Sequence, residues 1–246
     1  MHLEFADHSQ KGVERKENQD QVLVLGNAHF AMVADGMGGM AAGEVASKMV
    51  KDVFESKVSE WNSWPSTKKQ ETVSSLLPFA FEEANDKIIN YRLANPENDG
   101  MGTTATAALF FNETLYCSSI GDSRLYVLDD KGLKQITHDH SYVQDLFDNK
   151  IIDYQEYLIH PHRNILKRAV GIKEAIKPDH FTIPVSPGNY CLICSDGLNS
   201  VVRDEQITEI LTSSGSLTDI KDNLVQQALK NGSTDDISII LIKANN

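Results

Sequence analysis

Aspartates set the chemistry open to this chain. Four short motifs, Asn18-Gln19-Asp20, Asp35-Gly36-Met37-Gly38-Gly39, Ser195-Asp196-Gly197 and Asp235-Asp236, lie far apart in sequence, three of them against apolar, strand-like runs. Hard divalent cations such as Mg²⁺ and Mn²⁺ take a shell of oxygens, usually a few carboxylates completed by water. A fold that gathers these aspartates at strand ends can build that shell for two metals and leave water free to react. Such a centre suits metal-dependent hydrolysis of phosphate esters.

Asp35 follows Phe30-Ala31-Met32-Val33-Ala34 and is read as the cap of a buried strand. Glycines at 36, 38 and 39 then let the backbone turn and bring a carbonyl oxygen toward a ligand. Asp-Gly is also a common hairpin turn, as Asp99-Gly100 in plain loop illustrates. Taken alone Asp35 fits both readings, although a helical pattern rather than a return strand follows it. Asp196 repeats the order of buried strand, Asp and Gly. Asp235 stands at the mouth of the last strand, and Asp122 lies between two strands in Gly121-Asp122-Ser123-Arg124. A turn or a strand-end cap explains each of these equally well.

The elements that must position these residues follow from periodicity. Apolar strand-like runs fall at 21–25, 29–34, 104–111, 114–120, 124–128, 190–194 and 237–242, several joined by short turns such as Asn112-Glu113 and Asp129-Asp130-Lys131-Gly132. Those spacings predict antiparallel hairpins and meanders. Helical patterns cover 42–58, with Val45, Met49, Val53 and Phe54 on one stripe, and 66–93, with Phe79, Ala80, Ala84, Ile88 and Tyr91 on another. Pro78 is expected to kink the second helix or start a new segment. A late helix pair, 204–211 and 217–230, precedes the final strand. Helix pairs between groups of antiparallel strands predict an α+β fold. It is a four-layer α/β/β/α sandwich in which two antiparallel sheets pack face to face, flanked by helix pairs, as a single domain over 1–246.

Composition excludes several function classes. The 246 residues include 35 acidic and 23 basic ones, a formal net charge of −12, which disfavours nucleic acid and anionic membranes as partners. No apolar stretch approaches the roughly 20 residues that span a bilayer, and the N-terminus lacks the pattern of a secretory signal, so a cytoplasmic location is expected. The three cysteines fit reduced core thiols. Cys191 and Cys194 sit three apart in a strand and therefore point to opposite faces, which argues against a redox pair.

Taken together and in order, the motifs resemble those of the metal-dependent serine/threonine protein phosphatases of type 2C, in their small bacterial form. The resemblance runs from about residue 15 to residue 242. It rests on Arg15-x-x-Asn18-Gln19-Asp20, Asp35-Gly36-Met37-Gly38-Gly39, Gly102-Thr103-Thr104 and Gly121-Asp122-Ser123-Arg124. Thr137-x-Asp139-His140-Ser141, His160-Pro161-x-Arg163-Asn164, Ser195-Asp196-Gly197-Leu198 and Asp235-x-Ile237-Ser238 complete it.

The resemblance implies roles residue by residue. Asp35 would bridge two Mn²⁺ or Mg²⁺ ions, with the Gly36 carbonyl on one, while Asp196 and Asp235 hold the other. Asp20 would act through bound water, Asp122 with Asp196 would hold a third ion, and Arg15 would clamp the substrate phosphate. A water shared by two cations would attack phosphorus in phosphoserine or phosphothreonine, with Arg15, Asp20 and Asp35 as the catalytic set. The partners implied are phosphorylated proteins, among them a cognate bacterial Ser/Thr kinase and its substrates, met by a monomer. Residues about 138–170 would form a flap beside the active site.

Two positions depart from the family pattern. Asp236 stands where an Asn is common, and either adds a ligand or faces solvent. Met37 stands where animal-type members carry a His, leaving the general acid without a side chain. His138, His140, His160 and His162 raise zinc as an alternative. A catalytically dead relative that binds phosphoprotein, and an enzyme for small phosphate esters, are the rival functions.

Overall fold

The computed structural model describes residues 1–38 and 42–246, so Gly39, Met40 and Ala41 of the glycine-rich segment lie outside the described residues. Runs rich in β-branched and apolar residues form two sheets. One contains, in spatial order, β1 (His2–Gln10), β11 (Ile237–Asn245), β10 (Tyr190–Cys194), β7 (Arg124–Asp129) and β8 (Gly132–Gln135). The other runs β2 (Asp20–Leu25), β3 (Phe30–Met37), β5 (Ala105–Phe111), β6 (Thr114–Ile120) and β9 (Asp179–Pro184), with the short β4 (Gly102–Thr103) paired to the end of β3. Every pairing described is antiparallel.

Strand alternation sorts the side chains into three apolar layers. Ala31 and Val33 of β3, with Ala108 and Phe110 of β5, meet Leu125, Val127, Ile193 and Ile240 of the opposite sheet. Phe30, Met32 and Leu109 point outward onto helices α1 (Gly43–Asn62) and α2 (Ser66–Ala94), where Phe54 and Phe81 meet edge to face at 5.0 Å. On the far side, Leu192, Ile239 and Leu241 pack beneath α6 (Asp204–Leu211) and α7 (Leu217–Lys230). This is the expected α/β/β/α sandwich. Cys191 lies between the sheets and Cys194 under the helices, on opposite faces as read, and all three cysteines are buried and free. No described helix is long and apolar enough to cross a membrane.

The departures have local causes. β1, β4, β8 and β9 lie outside the expected strands; Leu3, Phe5, Phe181 and Ile183 contribute only alternate positions to the inter-sheet layer, a weak signal in sequence. Three further helices, α3 (Tyr142–Asp148), α4 (Tyr154–Ile159) and the single turn α5 (Asp196–Asn199), also went unread. Pro78 starts no new segment: α2 runs through it unbroken. The buried stripe of α2 is Val73, Leu77, Ala80, Phe81, Ala84 and Ile88, and Phe79 is 54% exposed beneath the Lys57 ammonium. In α1 the centre of the buried face is Ala46, Val50, Val53 and Phe54, with Val45 and Met49 at its margin. Phe81→Ala is therefore expected to cost about 3–5 kcal/mol, and Phe79→Ala within about 0.5 kcal/mol of zero. Urea unfolding of the two variants distinguishes this stripe from one centred on Phe79.

Candidate active site

Both sheets deliver aspartates to the same rim. The β2–β3 register sets Asp20 opposite Asp35. Asp35 does not cap its strand. β3 continues through Gly36 and Met37 because β4 pairs with them, Thr103 opposite Gly36. The Asp35 main chain is gripped by two threonines. Its N–H donates to Thr104 Oγ1 (3.2 Å), while its carbonyl accepts from the Thr104 N–H (2.8 Å) and Thr103 Oγ1 (2.9 Å). Thr104 Oγ1 also meets Ser123 Oγ at 2.6 Å, which ties the Asp35 strand to the loop carrying Asp122. Gly121 in that loop has φ +105°, and a Cβ there would lie 2.5 Å from the Thr104 side chain. At Gly36 a Cβ would stand 2.2 Å from the Gly43 carbonyl oxygen, so only glycine lets the start of α1 rest on the strand.

From the other sheet, β10 ends at Cys194, Ser195 caps the turn that follows, and Asp196 opens α5. Ser195 Oγ donates to Asp20 Oδ2 (2.8 Å) and accepts from the Ser238 N–H (3.0 Å), so one hydroxyl joins Asp20 to β11. Asp20 Oδ1 is buried with no hydrogen-bond partner.

Asp236 does not face solvent. It is buried, and its two oxygens accept from the Gly12 N–H (2.8 Å) and the Gln19 N–H (2.7 Å), clasping the segment that carries Arg15 to the start of β11. Asp235 instead receives a two-pronged contact from Arg15, Nε to Oδ1 and Nη2 to Oδ2, each 2.6 Å. Arg15, expected on the substrate side, is thus joined to one of the expected ligands.

Electrostatics mark the rim as one charged unit. Burial raises the Asp20 carboxyl to about 7, and Asp196 and Asp236 push it the same way against hydrogen bonds from Ser195 and Ser238. Asp196 is raised to about 6, by burial first and then by Asp235. Asp35 and Asp122 lie well above the usual carboxylate range, again through burial and then through their aspartate neighbours. Desolvation plus like-charge repulsion is the physical cause throughout. An all-oxygen donor set, mutual repulsion and an unpartnered Asp20 oxygen fit divalent cations of the Mg²⁺ and Mn²⁺ kind. Among the described residues, no three His, Cys, Asp or Glu side chains already surround one point as ligands. His140 is buried with Nδ1 accepting from the Gly121 N–H (3.0 Å), and His138 pairs with Asp148 (2.8 Å).

Arg124 and Asp139, quoted in motifs but given no role by the sequence, form a buried fork (2.9 and 2.6 Å) that Tyr157 of α4 joins through its hydroxyl (3.0 Å to Arg124). This holds part of the 138–170 region against the sandwich. A cavity of about 550 Å³ opens there, reaching from Asp122 and Asp196 to Phe147, Tyr154, Ile159 and Arg163. Arg168 is engaged by Asp179 (3.0 Å), whereas Arg163 is exposed on the cavity wall.

A four-layer sandwich with an acidic rim is the architecture of a known class of phosphatases. The catalytic domain of the serine/threonine protein phosphatase PstP, solved in complex with two manganese ions, is similar at 32% identity and TM-score 0.88, with 99% of each chain covered. The Mycobacterium tuberculosis serine/threonine phosphatase PstP/Ppp gives 32% identity and TM-score 0.91 over 100% of both chains. The chain belongs to the protein phosphatase 2C family, whose model matches residues 8–146. Over its whole length it is 33% identical to the serine/threonine phosphatase stp of Listeria welshimeri, covering 96% of that protein.

Two outcomes follow from this geometry. Asp236→Ala strands two buried N–H donors and is expected to cost roughly 3 kcal/mol. Asp236→Asn should cost less and, if position 236 only clasps, keep close to wild-type Mn²⁺ affinity; urea unfolding and calorimetry check both. The raised carboxyls bind protons in the folded chain that the unfolded chain has already lost between about pH 4 and pH 7. In chelator, stability should therefore fall as pH rises through that window, and Asp35→Asn should flatten the slope. A melting temperature that climbs from about pH 5 to about pH 8 would contradict this.

Proposed function

We propose that this chain is a Mn²⁺- or Mg²⁺-dependent phosphatase of phosphoserine and phosphothreonine in proteins, acting as one catalytic unit over residues 1–246. The observation that carries the reading is the convergence of Asp20, Asp35, Asp122 and Asp196 into one repelling, half-buried cluster in a chain of the protein phosphatase 2C family. Asp35 would hold two ions, with the Gly36 carbonyl on one and Asp196 and Asp235 on the other; Asp122 with Asp196 would take a third. When bound, such ions offset charge on phosphate oxygens and make water acidic enough to attack at neutral pH.

The chain's own residues supply the positioning. Thr103 and Thr104 hold the Asp35 peptide, Ser195 orients Asp20, and the Asp236 clasp carries Arg15 to the rim. The guanidinium fork of Arg15 suits two phosphate oxygens at once. Met37 has no proton to donate, so the leaving alkoxide takes its proton from water rather than from that side chain.

The 138–170 flap acts on substrate choice in this reading. Its support is the cavity that joins Asp122 and Asp196 to Phe147, Tyr154 and Arg163. The physiological substrates would be phosphoproteins, among them a cognate Ser/Thr kinase and its targets, met by a cytoplasmic monomer. Phosphate release from a phosphothreonine peptide tests the assignment. Release should require Mn²⁺ or Mg²⁺, vanish in chelator, and fall to the chelator background in Asp35→Asn. Folded wild type that releases no phosphate with either metal sinks the reading.

A further inference from the structure

Arg15 and Asp235 are each assigned to a different ligand, the phosphate and a cation, yet they are bound to one another. One edge of the guanidinium, Nε and Nη2, is engaged at 2.6 Å per contact, and Asp235 Oδ1 accepts a further hydrogen bond from the Asp236 N–H at 2.8 Å. A carboxylate oxygen offers two lone pairs. Oδ1 is therefore saturated, and Oδ2 keeps one lone pair beside a positive guanidinium. A divalent cation placed on that oxygen would sit within a few ångströms of the Arg15 charge, where like charges repel strongly in a partly desolvated rim.

The rest of the site holds Asp235 in place but leaves Arg15 able to move. Asp235 lies next to Asp236, which is fixed by two main-chain donors, and a Gly12 Cβ would stand 2.4 Å from the Asp235 carbonyl carbon, so the two segments are in close contact. The Arg15 side chain is 44% exposed, with Asp235 as its side-chain partner. Its long, unbranched stem can swing without disturbing packed core.

We infer that Arg15 and the cation compete for Asp235, so that loading the cation releases the guanidinium to take the substrate phosphate. This rests on the phosphatase reading above and adds an order to it: cation first, then phosphate. Before loading, Arg15 shields Asp235 and neutralises one charge of the acidic rim. After loading, the same group is free, cationic and one side-chain length from the metal centre. The two binding events are then linked thermodynamically, because removing the competitor must change the cation's affinity.

The test is Mn²⁺ titration by calorimetry into chelator-stripped wild type, Arg15→Ala, Asp235→Asn and the double variant, with circular dichroism confirming that each is folded. Competition predicts that Arg15→Ala binds Mn²⁺ more tightly, by roughly fivefold, the range expected for a charge-assisted but half-exposed fork. It also predicts that this gain disappears when Asp235 is already Asn, giving a nonzero coupling in the cycle. An Arg15→Ala affinity equal to or weaker than wild type overturns the proposal while leaving the phosphatase intact. A gain that persists in the Asp235→Asn background assigns the effect to general charge and also overturns it. Wild type that neither binds Mn²⁺ nor releases phosphate removes the phosphatase reading itself, and the competition with it.

Discussion

Like charge held at the shared rim of two sheets is the constraint to which the rest of the structure answers. Two unit charges about 5 Å apart repel by about 3 kcal/mol at an effective dielectric of about 20, against a net folding stability of about 5–15 kcal/mol. After burial, Asp20, Asp196, Asp122 and Asp235 all push the Asp35 carboxyl in the same direction, upward. A chain that gathers these groups must oppose the repulsion with packing elsewhere, and the three apolar layers of the sandwich supply it. In the proposed reading this repulsion is the functional feature, because a divalent cation would relieve it and hold the oxygens ionised.

Holding the cluster together falls to main chain and hydroxyls rather than to cations of the protein. Threonine and serine hydroxyls grip the Asp35 peptide and the Asp20 carboxyl from behind. Glycine permits the approaches that bring the segments close. A Cβ at Gly36 would strike α1, and one at Gly197 would stand 1.9 Å from the Asp236 carbonyl oxygen. These contacts consume backbone and neutral groups, so the carboxylate oxygens keep lone pairs to offer. Arg15 is the exception, since it spends its charge on Asp235.

Adjacent aspartates divide the work. Asp235 and Asp236 are successive residues before β11, and the chain direction sends their side chains apart: Asp236 into the protein to bind two N–H groups, Asp235 to the rim. Position 236 therefore fixes where the Arg15 segment lies, and position 235 decides what that segment's guanidinium touches. The same division recurs at Ser195-Asp196, where the serine orients Asp20 and the aspartate opens α5.

Periodicity and motif order by themselves determined the two-sheet sandwich, the late helix pair, the opposite facing of Cys191 and Cys194, and the family. Those are properties of local pattern: alternation at two residues, stripes near 3.6, and turn residues at fixed offsets. Short edge strands such as β9 escaped because only their pairing with a neighbour makes them strands. The continuation of β3 beyond Asp35 was invisible for the same reason, as it depends on β4 arriving from 65 or more residues away. Which of Asp235 and Asp236 turns to the rim, and that Arg15 lies on Asp235, were equally beyond local pattern. Two neighbouring carboxylates look alike in sequence, and only the tertiary placement of Gly12 and Gln19 donors against one of them breaks the tie.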